Sequence, residues 1–161
     1  MGNSIGILYI CTGNYIVFWE GFHDSFEKNF LPDTTKNYYV FTDNLKAISQ
    51  DKRVKAYYID PLSWPLITHM RFHIFLRFRE EFMHNDYLMF ANANLLCREE
   101  VSEEEFLPSD EEELSVVRHP GYWNQVSKYC PYERKRLSTA YVPYNAGGGL
   151  HDGRTLLRTQ R

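Results

Sequence analysis

An apolar run interrupted by two asparagines is the most informative part of the sequence for the fold: Tyr87-Leu88-Met89-Phe90-Ala91-Asn92-Ala93-Asn94-Leu95-Leu96-Cys97. Its first five residues are apolar, which is typical of a strand covered on both faces, as in a parallel sheet between two layers of helices. Strands of this kind present ligand-binding groups at their carboxyl ends. Because strand side chains repeat every two residues, Asn92 and Asn94 are expected to share one face. The stretch therefore predicts a ligand site at the end of a buried strand.

Short apolar runs and amphipathic segments alternate through the rest of the first hundred residues. The runs at 5–11, 38–42 and 54–59 predict three more strands, each ending at turn-forming residues. Residues 16–31 and 65–85 repeat apolar side chains every three or four positions, which predicts two helices. The resulting order is strand, helix, strand, strand, helix, strand. This order predicts an α/β fold, a three-layer α/β/α sandwich with right-handed crossovers.

Size, composition and charge restrict the class of protein. The chain has 161 residues, of which 43% are hydrophobic, so it is large enough for one domain with a substantial core. A formal net charge of −3 gives no general attraction to phosphate backbones, which disfavours nucleic acid as a partner. Three widely spaced cysteines indicate reduced thiols, and the apolar run at 5–10 is too short to span a membrane. We therefore expect a soluble, cytoplasmic protein.

Two segments in the second half of the chain carry no apolar periodicity. Residues 99–113 are rich in carboxylates and predict a solvated acidic loop and helix start, without the pattern of a calcium loop. After Gly147 the sequence becomes polar and basic, which predicts an unfolded or aberrant tail over residues 148–161. The folded domain is accordingly expected to cover residues 1–147.

Two segments before the central strand are candidates for binding phosphate. Cys11-Thr12-Gly13-Asn14-Tyr15 has a glycine where a phosphate turn needs one, but it lacks the glycine patterns of dinucleotide and P-loop sites. A plain strand-to-helix turn is the alternative. Arg71 lies near the start of the second helix and can point its guanidinium at a diphosphate, or it is simply solvated. His69 and His73 have the spacing of a metal pair but no third ligand, which disfavours zinc.

Asn92 and Asn94 leave three alternatives open. Aspartates at these positions would chelate a divalent cation, whereas asparagines keep the geometry and lose the charge. Their amide N–H groups can donate to phosphate oxygens. A turn that favours asparagine for conformational reasons explains them equally well.

Taken in order, these segments resemble glycosyltransferase family 6, the family of the histo-blood-group A and B transferases and the α-1,3-galactosyltransferases. The resemblance covers roughly residues 5–147. Residues 9–16 match the family's uridine-binding segment, in which a tyrosine stacks on uracil. Trp64 and residues 67–71 match the segment whose arginine contacts the donor diphosphate.

Three further motifs extend the resemblance. Asn92-Ala93-Asn94 falls where vertebrate members carry Asp-x-Asp, and a bacterial branch of the family is similar to this sequence in having Asn-x-Asn. His119-Pro120-Gly121 matches a motif whose histidine touches the acceptor sugar. The blocks at 132–136 and 140–143 match another family motif.

The resemblance implies a GT-A fold that transfers galactose or N-acetylgalactosamine from a UDP-sugar in α-1,3 linkage to a galactoside or fucosyl-galactoside, with retention of configuration. It implies no divalent metal and no other cofactor, as in the bacterial branch. Arg71 would then stabilise the departing UDP, with Arg134 or Lys135 as helpers. The implied acceptor contact is His119. The implied donor-binding residues are Ile10, Cys11, Thr12, Tyr15, Arg71, Asn92, Ala93 and Asn94.

One departure from the family bears on activity. The family domain continues into a segment with His-Asp-Glu-Ser, which supplies the carboxylate beneath the anomeric carbon, whereas this chain has His151-Asp152-Gly153-Arg154. The resemblance therefore implies a truncated domain without that catalytic carboxylate. A UDP-sugar-binding remnant without turnover is the alternative function.

Overall fold

Four parallel strands form the centre of the fold in a computed structural model, which describes residues 2–108, 114–148 and 151–159. The strands are β1 (Ser4–Ile10), β2 (Thr35–Thr42), β3 (Val54–Tyr58) and β4 (Tyr87–Ala91). They lie in the order β3-β2-β1-β4, and each neighbouring pair is parallel. All four were predicted from the apolar runs, and the parallel sheet confirms the α/β class.

Helices cover the two faces of this sheet. A 3-10 helix (Gly13–Phe18) leads into α1 (Trp19–Asn29), which packs on one face. The other face is covered by α2 (Leu66–Arg77) and α3 (Arg79–Phe82). No helix within the described ranges has the length and apolar character needed to cross a bilayer.

The single helix predicted over residues 65–85 is wrong in one respect, because it breaks at Phe78. The Phe78 N–H donates to the Phe75 carbonyl at 2.9 Å, which closes α2 with a tighter turn. The Phe78 ring then packs against Phe41 and Tyr57, with centroids 5.3 and 5.0 Å away. Packing against the sheet thus overrides the continuous apolar repeat.

Alternation along β1 divides the core into two clusters. Ile5, Ile7 and Tyr9 face α1, whereas Leu8 faces α2. The α1 side is rich in aromatic rings, including Phe22, whose centroid lies 4.4 Å from that of Tyr9. Each large apolar side chain buried in this way contributes about 1.5–3 kcal/mol to folding.

The helix α4 (Glu103–Phe106) and the strands β5 (Leu114–Arg118) and β6 (His151–Arg158) follow β4. Ser102 is the N-cap residue of α4, and its hydroxyl accepts from the Glu105 N–H in a capping box. The acidic helix start expected here is present, while residues 109–113 of that segment lie outside the described ranges.

The prediction of an unfolded tail after Gly147 is corrected by the structure, in which His151–Arg158 form the strand β6. This strand runs antiparallel to β4, from Tyr87 opposite Arg158 to Phe90 opposite Thr155. The physical reason is the edge of β4, whose backbone groups find hydrogen-bond partners in β6. The short run Thr155-Leu156-Leu157 was the available signal in the sequence. Residues 149–150 and 160–161 of the predicted tail lie outside the described ranges.

The chain divides into a first unit of residues 1–115 and 154–161 and a second unit of residues 116–153. Arg134 is central to the second unit. Its guanidinium donates to the carbonyl oxygens of Ser127 and Val142 at 2.7 Å and of Pro143 at 2.6 Å. It also lies over the Tyr144 ring, 4.7 Å from the centroid. These contacts tie Arg134 to its own unit, and the expectation that it assists a diphosphate stays a prediction.

Candidate functional site

A cavity of about 500 Å³ opens in the first unit at the carboxyl ends of β1 and β4. At this point the strand order reverses, because β1 pairs with β2 on one side and with β4 on the other. Parallel α/β sheets bind their ligands at such switch points. The cavity is lined by Ile10, Thr12, Gly13, Asn14, Tyr15, Pro61, Leu62, Ser63, Trp64, Ile67, Thr68, Arg71, Phe90, Asn92, Ala93 and Asn94.

The turn after β1 forms the first wall of the cavity. Gly13 adopts a φ of +56°, a left-handed conformation that side chains with a Cβ rarely take. Its N–H donates to Oδ1 of Asp43 at 2.9 Å, so the carboxylate at the end of β2 holds the turn. The Tyr15 N–H donates to the Thr12 carbonyl at 3.2 Å. The turn thus presents Thr12 and the half-exposed Tyr15 ring to the cavity.

Cys11 is the one expected donor-binding residue that does not line the cavity. Its side chain is completely buried on the α1 side, because the alternation of β1 turns it away from the opening. Burial raises the pKa of the Cys11 thiol to about 12, with a further contribution from the Asp43 charge and an opposing one from a hydrogen bond to Thr42. The structure therefore assigns the Cys11 side chain to the core.

Arg71 forms the opposite wall, and its contacts include a ring contact and a hydrogen bond. Its guanidinium carbon lies 4.2 Å from the centroid of the Phe90 ring, a cation–π geometry. Its Nε donates to the Thr68 carbonyl at 3.1 Å, one turn earlier in α2. Among the lining residues that the structure describes, Arg71 carries the single formal charge. This guanidinium gives the cavity lining a formal positive charge, which suits an anion.

The asparagines reach the cavity by a different route from the one predicted. Strand β4 ends at Ala91, and a turn follows in which the Leu95 N–H donates to the Asn92 carbonyl at 3.3 Å. The prediction that both side chains share one strand face is therefore wrong. Both still line the cavity, with Asn92 half-buried and Asn94 exposed.

Tyr9 connects β1 to the turn at residues 92–95, which we call the asparagine turn. Its hydroxyl donates to the Ala93 carbonyl at 2.9 Å, and both residues are buried. Burial also raises the pKa of the Tyr9 hydroxyl, so the group stays protonated as a donor. Tyr9 itself does not line the cavity.

His119, the expected acceptor contact, lies in the second unit. Its Nδ1 accepts from the Gly121 N–H at 3.1 Å, and its ring packs against that of Tyr122 with centroids 5.0 Å apart. Its role toward an acceptor stays a prediction. His69 and His73 lie exposed on α2, and no group of three metal-ligating side chains occurs in the part of the chain that the structure describes.

Several residues that line the cavity were not predicted from the sequence as site residues. Residues 61–63 follow β3, and Phe90 lies within β4. The signal for the first group was the Asp60-Pro61 break at the end of a predicted parallel strand, where site residues collect. Phe90 could not be distinguished from its apolar neighbours without knowing what lies above its ring.

Comparison with known proteins gives consistent matches. The model of glycosyltransferase family 6 matches residues 2–156. The O-antigen biosynthesis glycosyltransferase WbnI of Escherichia coli is 38% identical over 150 residues, which cover 92% of this chain and 63% of that protein.

Vertebrate proteins match at lower identity. The globoside α-1,3-N-acetylgalactosaminyltransferase 1 of Gallus gallus is 29% identical, with 93% of this chain and 45% of that protein covered. The histo-blood group ABO system transferase 2 of Rattus norvegicus is 27% identical, with 93% and 46% covered. The chain thus spans between about half and two thirds of the length of these relatives.

Proposed function

Because the chain belongs to glycosyltransferase family 6, we propose that it takes part in transferring galactose or N-acetylgalactosamine from a UDP-sugar to a galactoside or fucosyl-galactoside. The transfer forms an α-1,3 linkage with retention of the anomeric configuration. The names of the vertebrate relatives, which specify α-1,3-N-acetylgalactosaminyl and blood-group transfer, support the sugar and the linkage.

The observation that carries the proposal is the composition of the cavity at the β1–β4 switch point. The β1 turn offers the Tyr15 ring, a surface on which a nucleobase can stack. Because the Gly13 N–H is already bonded to the Asp43 carboxylate, this turn suits the neutral nucleoside rather than a phosphate. Arg71, on the opposite wall, suits the diphosphate. The two walls therefore match the two halves of UDP.

The side chains that line the cavity also favour a site that binds its ligand without a metal ion. Asn92 and Asn94 supply neutral amides, and no carboxylate occurs among the described lining residues. A divalent cation with phosphate ligands is normally held by at least one carboxylate, so these side chains do not fit such an ion. Positive charge for the leaving UDP comes instead from the Arg71 guanidinium.

Calorimetry with UDP, UDP-galactose and UDP-N-acetylgalactosamine tests the donor site. We expect binding in the presence of EDTA, and an affinity that manganese does not increase. Uridine alone is expected to bind more weakly, because it lacks the diphosphate that pairs with Arg71. Absence of any heat at millimolar UDP would remove the basis of the proposal.

The second candidate function is binding of the UDP-sugar without turnover. It is favoured by the lack of a carboxylate among the described lining residues, since retaining transfer needs a nucleophilic or stabilising group below the anomeric carbon. Incubation with both donors and a fucosylated galactoside, followed by mass detection, separates the candidates. A trisaccharide product supports transfer, whereas UDP binding without product supports the second candidate.

A further inference from the structure

The strands β1 and β4 separate immediately beside the cavity. Their register ends with Tyr9 opposite Ala91. Two residues further, the Cys11 N–H donates to the Phe41 carbonyl at 3.0 Å, so the chain after β1 stays bonded to β2. The chain beyond Ala91 thus enters the asparagine turn without a strand on that side to hold it.

The Tyr9 hydroxyl spans this gap. It donates to the Ala93 carbonyl at 2.9 Å, at the residue between the two asparagines. The ring that carries the hydroxyl is fixed in the core, with centroids 4.4 Å from Phe22 and 5.3 Å from Trp19. A rigid side chain of β1 is therefore bonded to the asparagine turn, whose residues 92–94 line the cavity.

From this geometry we infer that Tyr9 is a positioning residue, which sets the distance between the nucleoside wall and the asparagine turn by bonding to Ala93. The inference rests on the proposed binding of UDP. Without the hydroxyl, the buried Ala93 carbonyl lacks its partner, and the turn shifts to recover one. Asn92 and Asn94 then change their position in the cavity lining, which weakens the binding of UDP.

Tyr9→Phe tests the role while keeping the ring in place. Tyr38→Phe is the matched control, because Tyr38 is equally buried in the same cluster and donates its hydroxyl to the Glu27 carboxylate at 2.9 Å, outside the cavity lining. Two quantities are measured for each variant: UDP affinity by calorimetry, and amide hydrogen exchange of residues 92–95. Thermal melting accompanies both, since each substitution removes the hydrogen bond of a tyrosine hydroxyl.

We expect both variants to melt lower than the unmodified chain. Only Tyr9→Phe should weaken UDP binding, by about fivefold, which corresponds to one hydrogen bond of ordinary strength. Only Tyr9→Phe should accelerate exchange at residues 92–95. Equal behaviour of the two variants in affinity and exchange would overturn the inference, and so would faster exchange with unchanged UDP affinity.

The two measurements also separate this inference from the proposed function. If the unmodified chain binds no UDP, the proposed function fails, and exchange alone decides whether Tyr9 positions the turn. Faster exchange at residues 92–95 in Tyr9→Phe then supports the positioning role. Unchanged exchange overturns it.

Discussion

The two ends of the parallel sheet use asparagine in opposite ways. At the amino ends of the strands, Asn85 is completely buried and its amide makes three hydrogen bonds. The partners are the Asn37 amide, the Tyr39 hydroxyl and the Phe82 carbonyl, at 2.7, 3.0 and 2.7 Å. At the carboxyl ends, Asn92 and Asn94 face the cavity, and their side chains have no hydrogen-bond partner among the described residues.

The two sites differ in how many hydrogen-bonding groups of the asparagine side chain are already bonded within the protein. Asn85 uses its donors and its acceptor within the protein, so its contribution is to stability. The glycine at position 6 permits this packing, because a Cβ there would lie 2.9 Å from the Asn85 amide nitrogen. The side chains of Asn92 and Asn94 leave their hydrogen-bonding groups available at the cavity. We therefore expect substitutions at the amino ends of the strands to lower the free energy of unfolding. Substitutions at the carboxyl ends should lower the affinity for UDP.

Asn85→Ala should have the largest effect. It removes three hydrogen bonds and leaves buried partners unsatisfied, so the free energy of unfolding should fall by about 3 kcal/mol. Denaturant unfolding measures the loss, with the exposed Asn44→Ala as control. UDP affinity of the folded fraction should not change. A decrease of less than about 1 kcal/mol would contradict the conclusion that the hydrogen bonds of Asn85 stabilise the fold.

Arg71→Ala should weaken UDP binding by about thirtyfold, equivalent to about 2 kcal/mol, because a charge-assisted contact to the diphosphate disappears. Arg77→Ala is the control on the same helix, since Arg77 lies outside the cavity lining and its guanidinium lies 5.7 Å from the Phe78 ring centroid. Calorimetry with UDP and with uridine measures the effect. Equal losses for the two ligands would show that Arg71 does not meet the diphosphate.

Asn92→Asp combined with Asn94→Asp should change the character of the carboxyl end. Two carboxylates would repel the diphosphate and weaken UDP binding in EDTA by about tenfold. Manganese should restore it, because the pair then provides hard anionic ligands. Asn44→Asp, outside the lining, serves as the control for added charge. Failure of manganese to increase UDP affinity in the double variant would show that the side chains do not converge on one site.

Phe90→Leu should have the smallest effect, a loss of UDP affinity of about three- to fivefold. The substitution removes the ring beneath the Arg71 guanidinium, and cation–π contacts of this kind contribute about 0.5–1 kcal/mol. Phe75→Leu is the matched control, because Phe75 is buried in the same cluster and its ring lies 5.8 Å from that of Phe90. Both variants should melt lower, and only Phe90→Leu should bind UDP more weakly. Identical affinities would show that the ring stabilises the core alone.

Most of the fold follows from local patterns in the sequence. The runs at β1, β2, β3 and β4 are apolar on consecutive positions because both faces of these strands are covered, and that pattern is visible without a structure. The break at Phe78 and the pairing of β6 with β4 were not predictable in this way. Each depends on a partner distant in sequence: the sheet rings that receive Phe78, and the unpaired edge that accepts residues 155–158.

For the candidate site, too, some features follow from the sequence and others depend on contacts in the folded chain. The location of the candidate site follows from the sequence, because turn residues and asparagines that follow parallel strands must meet at one edge of the sheet. The sequence also determines the chemistry available there, one guanidinium and neutral amides. Which side chains face the cavity depends instead on the packing of the folded chain. This packing turns Cys11 inward, places Phe90 under Arg71 and bonds Tyr9 to Ala93, since these outcomes depend on how β1 and β4 diverge at the switch point.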